Sequence, residues 1–387
     1  MDIHCRFLPV TDAPEPRILD KQGAPRYIRH MKAQLIYNPA AGRRSVADDL
    51  PPVVAFLESK GWYVSMRTTL GPGDGITYAR EAVAEGYDMA VAVGGDGTLG
   101  EVATGLASSD CTLGVLPTGT GNVWAHMLGL PQWTPMSRSG LMQAARVLVE
   151  GQVYRIDLGK AGDRCFALWA GIGLDAQVAQ EVGPQGEMRR SLGNFLAYLV
   201  TLASQSISLR GTRMTVVIDG KAVRQRVVLI LVSNAQLYGP SVSIAPQAQL
   251  DDGMLDVYIF KGGNVLDVAR HIVMILSGKH LQDPKVECYR AKQVEVRGEE
   301  PLPLHTDGDP IGHTPVTITV LPKALRVVVP RWAPSSLFQD GGPGGRKPPS
   351  LAQRIAERLR YERERWREEG ERLRKDRAHR MRLPPRD

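Results

Sequence analysis

The chain has 387 residues, 43% of them hydrophobic, and is therefore long enough to form two domains with buried cores. Its four cysteines stand far apart without a C-x-x-C pair, which excludes a disulfide framework and a zinc finger and is typical of a reduced, cytoplasmic protein. The net charge of +7 belongs to residues 346–387, with 15 Lys and Arg against 8 Asp and Glu, so the neutral remainder argues against a nucleic acid partner.

The first half of the chain alternates short apolar runs with helical patterns. The predicted strands are 33–37, 62–68, 89–93 and 113–116, and the predicted helices between them lie near 46–57, 74–85 and 99–106. This alternation predicts βαβ units and a parallel sheet. Ligands of such sheets bind beyond the carboxyl ends of the strands, where this chain has loops rich in Asn, Gly, Thr and Asp.

One of these loops is a glycine-rich turn, Gly94-Gly95-Asp96-Gly97-Thr98, between a buried strand and a helix. Bare backbone N–H groups at the positive end of a helix dipole suit a phosphate, and the Asp96 carboxylate suits Mg²⁺ or its waters. The simpler interpretation is a tight turn with Asp96 as a helix N-cap. Three glycines within four residues favour the phosphate site.

The pattern changes near residue 150, after which short β-branched runs predict mostly antiparallel strands, interrupted by helices near 187–204 and 264–277. The predicted fold class is α/β plus β, with a Rossmann-like parallel-sheet domain and a β-sandwich-like domain. The expected divisions are an extension over 1–31, a nucleotide-binding domain over 32–150 rejoined at about 322–334, a β-rich substrate domain over 151–321, a linker over 335–350 and a charged helical tail over 351–381.

Several loops together carry a family resemblance. They are Asn38 to Gly42, Gly94 to Thr98 with Glu101, Pro117 to Asn122, Ile156 to Leu158, Gly171 to Ala176, Leu250 to Leu255 and Asp307 to Asp309. In this order and spacing, over about residues 32–330, the chain resembles the diacylglycerol kinase catalytic-domain family, which includes diacylglycerol kinases and sphingosine kinases. The resemblance implies an ATP-dependent lipid kinase that phosphorylates the hydroxyl of a lipid alcohol with Mg²⁺.

The resemblance also implies roles for particular residues. The residues expected at the nucleotide are Asn38, Pro39, Gly42, Thr69 (or its neighbour Thr68), Gly94, Gly95, Asp96, Gly97, Thr98, Glu101, Thr120 and Asn122. Asp309 is favoured as the base that accepts the hydroxyl proton, with Asp307 as its partner, because residues two apart on an extended stretch face the same way. Asp251, Asp252 and the backbone of Met254 match a second metal site. For each Asp-Gly pair the alternative is a hairpin turn.

The chain also departs from the family pattern. Relatives carry Asp and Arg where Val123 and His126 stand, and DGE where this chain has Asp307-Gly308-Asp309. These changes leave the lipid open, whether diacylglycerol, a long-chain base or another alcohol. Two alternatives remain: an NAD kinase, which shares the glycine-rich loop and a β-rich lobe, and a non-catalytic nucleotide-binding regulator.

The two ends of the chain carry separate expectations. No motif precedes residue 31, so we expect residues 1–30 to be dispensable for catalysis. The tail has one apolar residue per heptad, which disfavours a coiled coil. It is interpreted either as a solvated helix or as a helix on an anionic membrane surface, which would make the enzyme transiently membrane-associated. A homodimer is left open.

Overall fold

The structure is a computed structural model that describes residues 31–42, 45–134, 137–173, 176, 211–239 and 242–342, together with the backbone of 17–19 and 25–27. In the segment expected to be an extension, β1 (Arg17–Leu19) pairs antiparallel with β2 (Pro25–Tyr27). The predicted helix near 187–204 and the tail over 351–381 lie outside the described residues.

The first half forms the parallel sheet predicted from the alternating pattern. Its elements are β3 (Lys32–Tyr37), α1 (Leu50–Ser59), β4 (Tyr63–Thr68), α2 (Asp74–Ala84), β5 (Met89–Gly94), α3 (Asp96–Leu106), β6 (Thr112–Pro117), α4 (Val123–Leu128) and α5 (Ser139–Glu150). The strands run parallel in the order β4-β3-β5-β6. β5 and β6 are buried along their whole length because helices cover both faces of such a sheet.

The second half is mostly antiparallel, as expected. Its elements are β7 (Gln152–Ala161), β8 (Arg164–Phe166), β9 (Trp169–Gly173), β10 (Thr212–Ile218), β11 (Lys221–Ser233), β12 (Leu237–Tyr238), β13 (Val242–Ser243), β14 (Leu255–Lys261), α6 (Val265–Leu276), β15 (Val286–Ala291), β16 (Gln293–Gly298), β17 (Pro303–Thr306), β18 (Asp309–His313) and β19 (Val316–Val329). Residues 165–170, which the apolar pattern of the sequence predicts as one strand, are divided between β8 and β9.

Strand β19 joins the two halves into one sheet. It pairs antiparallel with β16 through its first residues, and Arg326 and Val327 pair parallel with β6. Residues 316–320 and 325–329, which the sequence predicts as two separate strands, are therefore one strand. Its pairing with β7 shifts register between Leu321 and Leu325, where Lys323 has a φ of 50°. The sheet passes from the α/β half of the molecule to the β-rich half without a break.

The chain remains packed against the body after β19. Leu337 and Phe338 are buried, and the Phe338 ring lies 4.9 Å from that of Tyr154. The backbone N–H of Leu250 donates to the carbonyl of Leu337. The first part of the segment expected as a linker is therefore held to the core, because apolar side chains interrupt its Pro and Gly residues.

Candidate functional site

The site is built where three loops meet at the carboxyl edge of the parallel sheet. A Cβ at Gly119 would lie 2.4 Å from the Cα of Gly95, and one at Gly42 would lie 2.3 Å from the carbonyl oxygen of Thr118. These loops touch through bare backbone, so the glycines are needed for the close approach. The backbone N–H of Thr118 also donates to the carbonyl of Gly94 at 2.9 Å.

Polar side chains fix the loops around the start of α3. Asn38 Nδ2 donates to Thr98 Oγ1 at 3.0 Å, and Asn38 Oδ1 accepts the N–H of Ala40 at 2.9 Å. Asn122 adopts a left-handed backbone with φ 46°, which Asn tolerates, and its Nδ2 donates to the carbonyl of Gly119. Thr69 is buried, and its backbone N–H donates a hydrogen bond to the carbonyl of Tyr37. The sequence-predicted nucleotide loops therefore share one edge of the sheet.

Asp96 is the first residue of α3, and its carboxylate lies at the start of α4. Its two oxygens accept the N–H of Val123 at 2.9 Å and that of Trp124 at 3.1 Å. Gly95 occupies the N-cap position of α3, so Asp96 caps a neighbouring helix instead of its own.

Asp307 and Asp309 lie on a tight hairpin, not on an extended stretch. Asp307 and Gly308 are the two loop residues between β17 and β18, with φ of 48° and 88°, as a type I′ turn requires. The prediction of extended geometry was wrong because Asp-Gly here makes the turn. Both carboxylates nevertheless face α3: Asp309 lies over Gly97 and Asp307 over Gly100, one turn further along.

The surroundings of Asp307 are those of a buried anchor. Its carboxylate accepts the backbone N–H groups of Ala167, Leu168 and Trp169, each at 3.0 Å. Burial raises the pKa of Asp307 to about 7, the three N–H donors act in the opposite direction, and the nearby Asp96 charge raises it further. Asp307 therefore connects the turn between β17 and β18 to the start of β9.

Asp309 is more accessible and lies beside a guanidinium that the sequence gave no reason to select. The Asp309 side chain is 29% exposed, and its Oδ2 lies 3.5 Å from Arg164 Nη2. Arg164 Nη1 lies 3.8 Å from Glu101 Oε1, and the buried Arg164 Nε has no hydrogen-bond partner among the described residues. Arg164 is the first residue of β8. The Thr104 hydroxyl of α3 holds this strand, because it donates to the carbonyl of Cys165 and accepts the Cys165 N–H. The sequence signal for Arg164, one Arg at the start of a short strand, is weak.

Glu101 connects two helices. Its carboxylate accepts the N–H of Gly73 at 2.7 Å and that of Gly75 at 3.0 Å, which are donors at the start of α2. A Cβ at Gly75 would lie 2.6 Å from Glu101 Oε2, so the contact depends on that glycine. Glu101 thus fixes the loop after β4, which carries Thr69, against α3.

The residues matched to a second metal site are engaged with other partners. Asp252 pairs with Arg290 and accepts the N–H of Met254, while Asp251 accepts the N–H of Gln339 at 2.7 Å. Burial raises the pKa of Asp252, and Arg290 opposes the shift. Among the described residues no group of three or more His, Cys, Asp or Glu is arranged to hold a metal. The second metal site stays a prediction.

Two departures from the family pattern, Val123 and His126, lie on α4. Val123 is buried, and its backbone N–H donates a hydrogen bond to Asp96 Oδ2. His126 is exposed one turn later; partial burial of its ring lowers its pKa, and the Asp96 charge opposes that shift. Thr120 is exposed at the loop.

Two family models match the chain. The model described as the diacylglycerol kinase catalytic domain matches residues 32–161, and that of the YegS C-terminal NAD kinase beta sandwich-like domain matches 169–329. Together they span the parallel sheet, the β-rich half and every loop of the site.

Individual relatives agree with the family models. A diacylglycerol kinase of Bacillus subtilis (strain 168) is 33% identical over 302 residues, 78% of this chain and 97% of the relative. One of Staphylococcus carnosus is 28% identical over 78% of this chain and 95% of the relative. A crystal structure of a diacylglycerol kinase from Bacillus anthracis str. Sterne has a TM-score of 0.63 at 26% identity, covering 78% of this chain and 98% of that one.

The fold and the three-loop site define a kinase with an α/β half and a β-sandwich-like half. The chain belongs to the diacylglycerol kinase family, and it is a lipid kinase. Within the part of the chain that the structure describes, no helix has the length and apolar character needed to cross a membrane.

Proposed function

We propose that the protein transfers the γ-phosphate of ATP to the hydroxyl of diacylglycerol or a similar lipid alcohol. The observation that carries this proposal is the position of Asp309 over Gly97, in the first turn of α3. A phosphate at the N–H groups of that turn would lie beside a partly exposed carboxylate. This is the juxtaposition of phosphoryl donor and base that the transfer needs.

The side chains of the site would divide the work. The loops at 38–42, 94–98 and 117–122 would bind and orient the ATP phosphates through backbone N–H groups and the Asn and Thr side chains. Asp309 Oδ would accept the proton of the lipid hydroxyl as its oxygen attacks phosphorus. Asp307 would hold the hairpin against the start of β9, and Arg164 would supply positive charge beside Asp309.

The residues around α3 fit a magnesium ion. Mg²⁺ prefers one or two carboxylates together with waters and substrate phosphates. Asp96 is a carboxylate of that kind at the N-terminus of α3. The ion would neutralise charge on the transferring phosphoryl group. The acceptor would enter between the α/β half, 32–150, and the β-rich half, 151–321.

A turnover assay tests the substrate. The full chain is incubated with ATP and Mg²⁺ and, separately, with diacylglycerol, a long-chain base and NAD, and the products are identified by mass. We expect phosphorylation of diacylglycerol, lost when Mg²⁺ is chelated. Phosphorylation of NAD alone would favour the NAD kinase alternative. ATP binding without turnover of any acceptor would favour the nucleotide-binding regulator.

A further inference from the structure

Helix α6 exposes an apolar stripe on the face opposite its core contacts. Val268 and Ile272 are buried on the inner side. On the outer side Leu266 is 79% exposed, Val273 62% and Leu276 56%. These positions are i, i+7 and i+10, so they lie along one side of the helix. A helix of a water-exposed protein normally presents polar residues there, and three aliphatic side chains in line indicate a surface that meets an apolar partner.

The exposed charged side chains of this segment, Arg270 and Lys279, are positive. No Asp or Glu is exposed between residues 264 and 284. Asp267 and Asp283 are buried, and their ion pairs with Lys285 and Arg270 hold them there. Lys279, one turn beyond Leu276, is exposed. An aliphatic stripe with flanking cations and no exposed acid is complementary to an anionic lipid surface.

The size of the stripe disfavours a second copy of the chain as its partner. α6 has 12 residues, so it is about 18 Å long and about 10 Å wide. A stable dimer buries about 800 Å² on each partner, several times more than this strip offers. A bilayer requires no matching surface of that size, because each side chain inserts individually.

The stripe belongs to a part of the fold that is fastened to the site. His280, in the short 3₁₀ turn His280–Gln282 after α6, has its Nε2 2.9 Å from the carbonyl oxygen of Ile244. That segment continues from Tyr238, whose ring lies 4.8 Å from Trp169. Trp169 in turn donates its N–H to Asp307. α6 therefore has a fixed position relative to the carboxylates over α3.

We propose that the outer face of α6, formed by Leu266, Val273 and Leu276, docks the enzyme on an anionic bilayer. This proposal goes beyond the proposed phosphoryl transfer. It rests on that function only because the proposed substrate, diacylglycerol, resides in a membrane. The face would insert shallowly into the interface, with Lys279 at the lipid headgroups. Since the contribution is mainly apolar, it survives salt, unlike binding through the basic tail.

The test compares three full-length proteins. One carries Leu266→Ser, Val273→Ser and Leu276→Ser. A matched control carries Met66→Ser, Val83→Ser and Val153→Ser, which are exposed apolar residues on β4, α2 and β7. Each is sedimented with vesicles of equimolar phosphatidylcholine and phosphatidylglycerol at low and at high salt. We expect the α6 variant to bind at least ~10-fold more weakly than the parent at high salt, and the control to bind like the parent.

Two further measurements separate the outcomes. Melting curves establish that both variants fold, and turnover of a water-soluble short-chain diacylglycerol should be the same in all three proteins. Equal vesicle binding by the parent and the α6 variant at high salt would overturn the proposal. The proposal would also fail if the parent were a dimer and the α6 variant a monomer while both bound vesicles equally. That result would assign the face to self-association. Absent turnover in all three, with vesicle binding lost only in the α6 variant, would refute the proposed function and leave the docking surface standing.

Discussion

At the scale of single residues, the two carboxylates of the hairpin have different surroundings and so different expected roles. Asp309 is partly exposed at Gly97, whereas Asp307 is buried under three backbone donors. A base must reach the substrate hydroxyl, and Asp309 is the one with access. Asp307 is buried and fully engaged with backbone donors, as expected of a group that positions the hairpin between β17 and β18.

Replacing Asp309 by Asn removes the proton acceptor and keeps the shape of the side chain. We expect turnover to fall at least about 100-fold, with ATP affinity and melting temperature unchanged. Steady-state kinetics and calorimetric ATP binding measure the two effects.

Asp307→Asn is the matched comparison, since Asn-Gly is also a favoured type I′ turn. It loses one accepted hydrogen bond, which costs about 1 kcal/mol of unfolding free energy, and should retain more activity than Asp309→Asn. The opposite ranking of the two variants would make Asp307 the base.

Arg164 offers a second prediction at this scale. Within the described residues its guanidinium has two carboxylates at 3.5 and 3.8 Å and a buried Nε without a partner. We expect Arg164→Gln to lower kcat by roughly 10- to 100-fold, because the positive charge beside the transferring group is lost. Arg164→Lys keeps the charge and should recover part of the activity. A lowered melting temperature in both variants, with kcat unchanged, would mean that Arg164 only stabilises the fold.

At the scale of elements, α3 is the support on which the site is assembled. Successive turns of this helix meet Asp309 at Gly97, Asp307 at Gly100, Arg164 at Glu101 and β8 at Thr104. A Cβ at Gly97 or Gly100 would lie 2.9 or 3.1 Å from the facing carboxylate, so these glycines allow the close approach of Asp309 and Asp307. One helix therefore sets the distance between the nucleotide loops and the β-rich half.

The link from α3 to α4 through Asp96 leads to a prediction about both elements. Asp96→Asn retains one oxygen for the start of α4, so the unfolding free energy should fall by about 1 kcal/mol. Turnover should fall on the order of 100-fold, because the carboxylate charge that suits Mg²⁺ is removed. Urea unfolding and kinetics at several Mg²⁺ concentrations measure these effects.

Asp74→Asn is the control for this prediction. Asp74 also begins a helix and accepts two backbone N–H groups, those of Leu70 and Gly71. A similar loss of stability with near-parental turnover is expected there. Near-parental turnover of Asp96→Asn would instead leave Asp96 with a capping role alone.

At the scale of the whole molecule, the buried acid between the two halves makes stability depend on pH. Burial raises the pKa of Asp307 from 3.8 to about 7, so the folded protein binds this proton more tightly than the unfolded chain does. Stability from this group is therefore present at low pH and is lost as pH rises toward 7. Burial lowers the pKa of His271, which acts with the opposite sign.

Comparison with Asp307→Asn isolates the aspartate. Between about pH 5 and about pH 7 the parent should lose about 2 kcal/mol of unfolding free energy relative to the variant, with no further relative change up to about pH 8. Urea unfolding of both proteins over this range measures the difference. Parallel pH profiles of the two proteins would contradict the raised pKa.

The sequence by itself determined the parts of this protein that depend on local patterns. Alternating apolar runs and helices predicted the parallel sheet, short β-branched runs predicted the β-rich half, and the ordered loops predicted the family. Each of these signals is a short pattern of a few residues, and the order of the loops is visible along the chain, so both can be interpreted without knowing the fold.

Only the tertiary structure decided how distant segments combine at α3. Asp307 and Asp309 stand about 210 residues after Gly97, and nothing local says that their hairpin lies over that helix. The same holds for Arg164, and for Asp96, which caps α4 and not its own helix. The outer stripe of α6 resembles core in the sequence, and only packing distinguishes its two faces. Burial and contact depend on the whole chain, and residue type alone does not specify them.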